Sequence, residues 1–159
     1  MIGLLRVDHR LLHGAIIFNW VPALHIEAIL LVGRQLDRDP VRRAALRLNK
    51  PPSCELWMAE PKQAVAQLEN KALLSKRTLV IAETVEDAVY LAHHNRQVRH
   101  ICLGNTLPIK GSQHMGGTVF LTQQELSLLA SLVATGVEVE LRSLPGDEKR
   151  RIPEIEGAK

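Results

Sequence analysis

Short apolar runs alternate along this chain with stretches in which apolar positions recur every three or four residues. The runs at residues 2–5, 29–32, 54–58, 78–82 and 100–103 read as strands. A continuous apolar run such as Ile29-Leu30-Leu31-Val32 is what a parallel strand buried on both faces requires. Between the runs lie helix signals. Residues 15–20 open an apolar helix after the first strand. Asp39 and Pro40 supply an N-cap and a first helical residue. Val41, Ala44, Ala45 and Leu48 follow at i, i+3, i+4 and i+7, a stripe expected to pack on the sheet while Arg38, Arg42, Arg43 and Arg47 face water. Pro51-Pro52 ends that helix, and Pro61, Ala64, Val65 and Leu68 form the next stripe. Thr84 with Asp87 reads as a cap for a further helix, and Thr122 with Glu125 as a capping box for a Leu-rich helix that stops at Gly136.

Residues 104–117 break the rhythm. They are polar and contain Gly104, Gly111, Gly116, Gly117 and Pro108, so they read as a long loop, a feature often tied to function. Residues 118–121 read as a short sixth strand. Residues 137–141 alternate Val and Glu, as an edge strand does. The alternation predicts an α/β fold: one open, mainly parallel twisted sheet of about six to seven strands, helices on both faces, the last strand at an edge. No linker or repeat divides residues 1–159, which read as a single domain.

Composition narrows the function. Aromatic residues make up only 3% of the chain, too few for a nucleic-acid binder that stacks bases, and the basic residues are scattered. No run approaches the ~20 apolar residues that span a bilayer, and no secretory signal opens the chain, so a cytoplasmic location is expected. Cys54 and Cys102 lack metal-ligand spacing and read as buried free thiols. A net charge of +3 favours an acidic or phosphorylated partner.

The chemistry concentrates in Arg6-Val7-Asp8-His9-Arg10-Leu11-Leu12-His13-Gly14, between the first strand and the first helix. The carboxyl ends of strands in such a sheet are where ligands bind, and a helix N-terminus there offers free N–H groups to an anion. His13 supplies a nitrogen nucleophile, Arg10 a planar donor for phosphoryl oxygens, and Gly14 room for a close approach. Asp8 reads either as a catalytic partner of His13 or as a carboxylate tying down the loop. Arg6, on the strand end, carries the same ambiguity. His9 points away by alternation. His93 and His94 are adjacent on a helix, about 100° apart, and cannot chelate one metal. Lys110, Ser112 and His114 on the long loop could reach the same crevice, and Gly104-Asn105 either shapes a phosphate pocket or makes a simple turn.

D-x-R-L-L-H-G after the first strand, with Phe18 and Trp20 following, resembles the IIB component of the mannose/fructose/sorbose family of the bacterial sugar phosphotransferase system. The resemblance continues through Leu103-Gly104-Asn105, Lys110-Gly111, residues 118–121, the helix bearing Glu125, and Thr135-Gly136-Val137-Glu138-Val139. Ala15 stands where the family usually has Gln, and Thr106 where it usually has Met. The resemblance implies a cytoplasmic phosphocarrier, held to the membrane only through its partners. His13 would accept a phosphoryl group from a IIA histidine and pass it to a sugar entering through membrane IIC and IID components. It implies no cofactor, metal or nucleic acid. From the residues alone, a non-catalytic module that binds an anion or a partner on the same fold remains the alternative.

Overall fold

The structure is a computed structural model that describes residues 1–156. Six strands form one all-parallel sheet: β1 (Ile2–Asp8), β2 (Ala28–Val32), β3 (Glu55–Ala59), β4 (Thr78–Ala82), β5 (His100–Asn105) and β8 (Glu138–Leu141). Their spatial order is β3-β2-β4-β1-β5-β8. Two further strands, β6 (Gln113–Gly116) and β7 (Val119–Leu121), pair antiparallel in a sheet of their own. The helices are α1 (Val21–Ala23), α2 (Pro40–Leu48), α3 (Pro61–Leu68), α4 (Lys71–Leu74), α5 (Val85–His94), α6 (Gln123–Ala134) and α7 (Pro153–Glu156). A π-helical turn, Ile16–Trp20, leads into α1, and a 3-10 turn, Leu36–Arg38, precedes α2.

The strands are buried on both faces because side chains alternate across the sheet. Leu5, Val7, Leu30 and Val80 pack with Ala64, Ala88 and Leu129 of α3, α5 and α6. Leu4, Ile29, Leu31 and Ile81 pack on the opposite face with Ile16, Trp20, Leu36 and Leu46. The helix ends follow the sequence signals. Asp39 accepts from the Arg42 N–H at 3.0 Å, Thr84 from that of Asp87 at 3.1 Å, and Thr122 and Glu125 cap each other. Gly136 after α6 has φ +96°, which favours glycine.

Three expectations are corrected. Residues 104–117 are not wholly loop, since they contain β6. Residues 118–121 accordingly pair with β6 in a small hairpin instead of joining the main sheet, touching it through an Asn105–Thr118 bridge. Gly116 and Gly117, at positive φ, make the reversal that allows this pairing. Strand β8 lies at the edge of the sheet as expected, and its Glu140 carboxylate is buried 3.0 Å from both His100 Nε2 and Arg142 Nη2.

The third correction concerns α2. Val41 and Leu48 are 81% and 86% exposed, Ala44 and Ala45 are exposed, and only Leu46 reaches the core. Of the four arginines expected to face water, Arg38 and Arg47 do, whereas Arg42 and Arg43 turn toward the body of the protein. Arg42 meets Glu83 at 2.7 Å and Arg43 meets Asp37 at 2.8 Å. Leu36 of the preceding turn already fills the space over the sheet, so one leucine of α2 completes that layer and the ion pairs fix its rotation.

The chain leaving β1 turns to the face of α1, whereas those leaving β4 and β5 reach α5 and α6 on the other. The carboxyl end of β1 therefore opens into the crevice where connections diverge.

Candidate functional site

Asp8 ends β1 on the same face as Leu4 and Arg6, and it is fully buried. A buried carboxylate persists only when partners replace its water. Asp8 has four. His13 Nε2 lies 2.8 Å from Oδ2, the Asn105 amide donates to the same oxygen at 2.8 Å, the Arg10 backbone N–H donates to Oδ1 at 3.0 Å, and Arg6 Nε lies 3.6 Å away. Burial alone would raise the Asp8 pKa. The hydrogen bonds from His13 and Asn105, the imidazole charge and the Arg10 amide outweigh it, so the net shift is downward. An ionised carboxylate only accepts, so Nε2 of His13 carries the hydrogen in this bond.

The loop that brings His13 back over Asp8 is anchored by its two leucines. Leu11 is completely buried and adopts φ 57°, a left-handed conformation that costs a branched side chain roughly 1 kcal/mol. Its N–H donates to the Asp8 carbonyl at 3.0 Å, closing the turn. The carbonyl of His13 accepts from Ile16 and Ile17, so the helical run begins at Gly14. The first amides of such a run have no intrahelical acceptor and remain available to an anion. The π-helical turn that follows is a feature often found at functional sites. Nδ1 of His13 has no hydrogen-bond partner among the described residues.

Arg6 lies beneath this pair, not at its mouth. Its guanidinium donates to the carbonyls of Arg142 at 2.8 Å and Ser143 at 3.1 Å and stacks over Trp20, 4.9 Å from the ring centre. Trp20 donates its indole N–H to Ser143 at 3.1 Å. Gly104 is glycine for the same reason: a Cβ there would fall inside the Arg6 guanidinium. Both residues thus shape the support of Asp8. Asn105 joins the site directly, with Thr118 donating to its side-chain oxygen and to the Gly104 carbonyl.

Arg10 and Gly14 are exposed beside His13, and a Cβ at Gly14 would meet only Phe18, at 3.8 Å. Lys110 is exposed on the segment between β5 and β6, with no described contact to His13. Ser112 bonds the Ile109 carbonyl, and His114 bonds the Gly117 carbonyl at 2.9 Å and packs on Phe120, so both are held within their own segment. His9 uses its backbone N–H on the Asn105 carbonyl. The sequence reading took Trp20 and residues 118–121 only as marks of the resemblance, not as parts of the site, and missed the turn at Arg142-Ser143. That turn acts through its carbonyls, which leave no trace in side-chain identity.

A concavity of about 770 Å³ lies at the opposite end of the strands, lined by Glu27, Lys50, Trp57 and Lys76 among others.

These features define an open parallel α/β protein with a buried Asp–His pair at its switch point. The model of the PTS system sorbose subfamily IIB component matches residues 2–158, and the chain belongs to that family. It is 24% identical over 146 residues to the sorbose-specific EIIB component of Klebsiella pneumoniae, covering 92% of this chain and 89% of that protein. It is 21% identical over 155 residues to the mannose-specific EIIAB component of Escherichia coli strain K12, covering 98% of this chain. It spans about half (48%) of that longer relative. The crystal structure of the IIBSor domain of the K. pneumoniae sorbose permease superposes with a TM-score of 0.90 at 22% identity, covering 100% of this chain and 98% of that one. Among the described residues no helix is long and apolar enough to cross a membrane.

Proposed function

We propose that this chain is a phosphocarrier of a bacterial sugar phosphotransferase system, with His13 as the residue that carries the phosphoryl group. The observation that supports it most is the 2.8 Å contact between His13 Nε2 and buried Asp8, which leaves Nδ1 as the free nucleophile. In the first step the Nδ1 lone pair attacks the phosphorus of a IIA phosphohistidine. The N–P bond to the donor imidazole breaks, and its electron pair returns to that ring. Nε2–H stays on Asp8, so the phosphorylated ring keeps a carboxylate against the positive charge it gains. The N-terminal amides of the helical run beside His13 and the Arg10 guanidinium stabilise the transferred oxygens, since phosphoryl transfer relies on positioning and charge.

In the second step a sugar hydroxyl oxygen attacks the same phosphorus, the N–P bond breaks and Nδ1 regains its lone pair. The hydroxyl proton leaves to water or to a base of the membrane partner. The sugar is held by the membrane IIC and IID components, and the chain works in the cytoplasm, attached to the membrane through them. The 8–14 loop and the 104–117 segment, which meet at the Asn105–Asp8 hydrogen bond, form the docking rim for the IIA donor.

The test is labelling by phosphorylated IIA. Acid-labile phosphate should appear on the native chain and vanish in His13→Ala, and 15N–31P NMR should assign the bond to Nδ1. Label that persists in His13→Ala removes this reading. Arg10→Ala should slow uptake at least tenfold while keeping the melting temperature, because an exposed arginine contributes little to stability.

A further inference from the structure

The loop that bears His13 is fastened at both ends to one backbone carbonyl. Ser143, just past β8, accepts from Arg6 Nη2 at 3.1 Å and from the Trp20 indole N–H at 3.1 Å. Arg6 precedes the loop on β1, and Trp20 closes the π-helical turn that follows it. The neighbouring carbonyl, that of Arg142, takes a second hydrogen bond from Arg6 at 2.8 Å. Arg6 Nε makes no hydrogen bond among the described residues and faces Asp8 Oδ2 at 3.6 Å. The seat of Arg6 against Asp8 is therefore set by these two carbonyls, and a carbonyl is placed only by fixing the backbone that carries it.

The Arg142 side chain fixes that backbone. Its guanidinium donates across the turn to the Pro145 carbonyl at 3.3 Å, lies 4.9 Å from the Trp20 ring centre and meets the Glu140 carboxylate at 3.0 Å. Trp20 thus carries two guanidinium groups, each beside its own buried carboxylate: Arg6 with Asp8, and Arg142 with Glu140. Glu140 is only 1% exposed, yet its Oε2 and the Arg142 Nε have no hydrogen-bond partner among the described residues. So incompletely bonded a buried pair is a poor source of stability, and apolar residues of similar volume often hold a fold as well or better. What the pair supplies is direction.

We propose that Glu140 and Arg142 are positioning residues for His13. Glu140 orients Arg142, and Arg142 sets the two carbonyls that seat Arg6 against Asp8. Ionised Asp8 then keeps the hydrogen on His13 Nε2 and leaves Nδ1 as the nucleophile. The consequence for phosphoryl transfer rests on the phosphocarrier reading above; the consequence for the His13 ring does not.

The test is Glu140→Met/Arg142→Met in the whole chain, which removes both buried charges at similar volume. 15N NMR at alkaline pH, where imidazoles are neutral, reads the tautomer of the His13 ring without any donor. The native ring should carry its hydrogen on Nε2 alone. The double variant should keep the native circular dichroism and show both tautomers. It should take phosphate from saturating phosphorylated IIA slower by about fivefold or more, at an unchanged half-saturating concentration, because misplacement costs rate and not affinity. A folded double variant that keeps the native tautomer overturns the proposal. So does a raised half-saturating concentration with the saturated rate intact, which would make the turn after β8 a donor contact. If the double variant does not fold, Arg142→Lys decides. It keeps a charge beside Glu140 but loses the planar fork that binds Glu140 and Pro145 together and stacks on Trp20, and a native ring in it overturns the proposal. A mixed tautomer in the double variant, beside a native chain that takes up no phosphate, would remove the phosphocarrier reading and leave the positioning role standing.

Discussion

At the end of β1, Arg6, Asp8 and His13 are packed away from water, while on α2 Val41 and Leu48 stand almost fully in it. Both regions reverse the usual placement of polar and apolar groups, and they differ in where compensation comes from. Around Asp8 it is internal: His13, Asn105, the Arg10 amide and Arg6 replace the water lost on burial. On α2 nothing within the described chain covers the apolar stripe. The buried network is therefore expected to respond strongly to substitution, and the exposed stripe weakly.

The largest effect on stability should come from Asp8→Ala. It leaves the Arg6 charge and the Asn105 and His13 donors buried around an empty acceptor, and removing one partner of a buried pair costs about 3–5 kcal/mol. Urea denaturation should show that loss, and Asp8→Asn, which keeps one acceptor, should lose less. A cost under about 1 kcal/mol would mean the network is solvated and the contrast with α2 is false.

The same carboxylate sets a pH dependence. Its folded pKa is lowered from the ordinary 3.8. A depressed carboxylate contributes stability that is present above the unfolded value and lost as pH falls through the folded one. Stability should therefore drop below about pH 4, and Asp8→Asn should flatten that part of the curve. An acid limb unchanged by Asp8→Asn would place the responsible group elsewhere.

Gly104→Ala ranks next. The new methyl group meets the Arg6 guanidinium, which is tied to two carbonyls and cannot swing aside freely. Overpacking of this kind costs about 1–3 kcal/mol. The loss should shrink when Arg6 is also shortened, as in the Gly104→Ala/Arg6→Ala pair measured against Arg6→Ala alone. Equal losses in both backgrounds would show that Arg6 is not what the methyl group meets.

Much of this was legible in the sequence, for identifiable reasons. The buried runs at 29–32 and 78–82 can only be central parallel strands, and the caps at Asp39, Thr84 and Thr122 carry their own hydrogen-bond logic. The local motif placed Asp8 and His13 within one turn of each other. The burial of Arg6 was not legible, because its acceptors are backbone carbonyls more than a hundred residues away. The rotation of α2 was hidden too. Its stripe has the spacing of a core-facing helix, and periodicity cannot say which side of a helix meets the sheet when Leu36 and the Glu83 ion pair decide it.

The smallest effect is expected on α2 itself, and it sharpens the comparison most. Leu46 and Leu48 are two residues apart on one helix, one buried and the other 86% exposed. Leu46→Ala should cost about 2 kcal/mol or more, since it removes buried methyl groups and leaves a cavity. Leu48→Ser should stay within about 0.5 kcal/mol, because surface changes away from special features rarely do more. If Leu48→Ser destabilised the protein as much as Leu46→Ala in urea denaturation, the stripe would be packed within the chain, and the inversion that sets α2 apart from the Asp8 network would vanish.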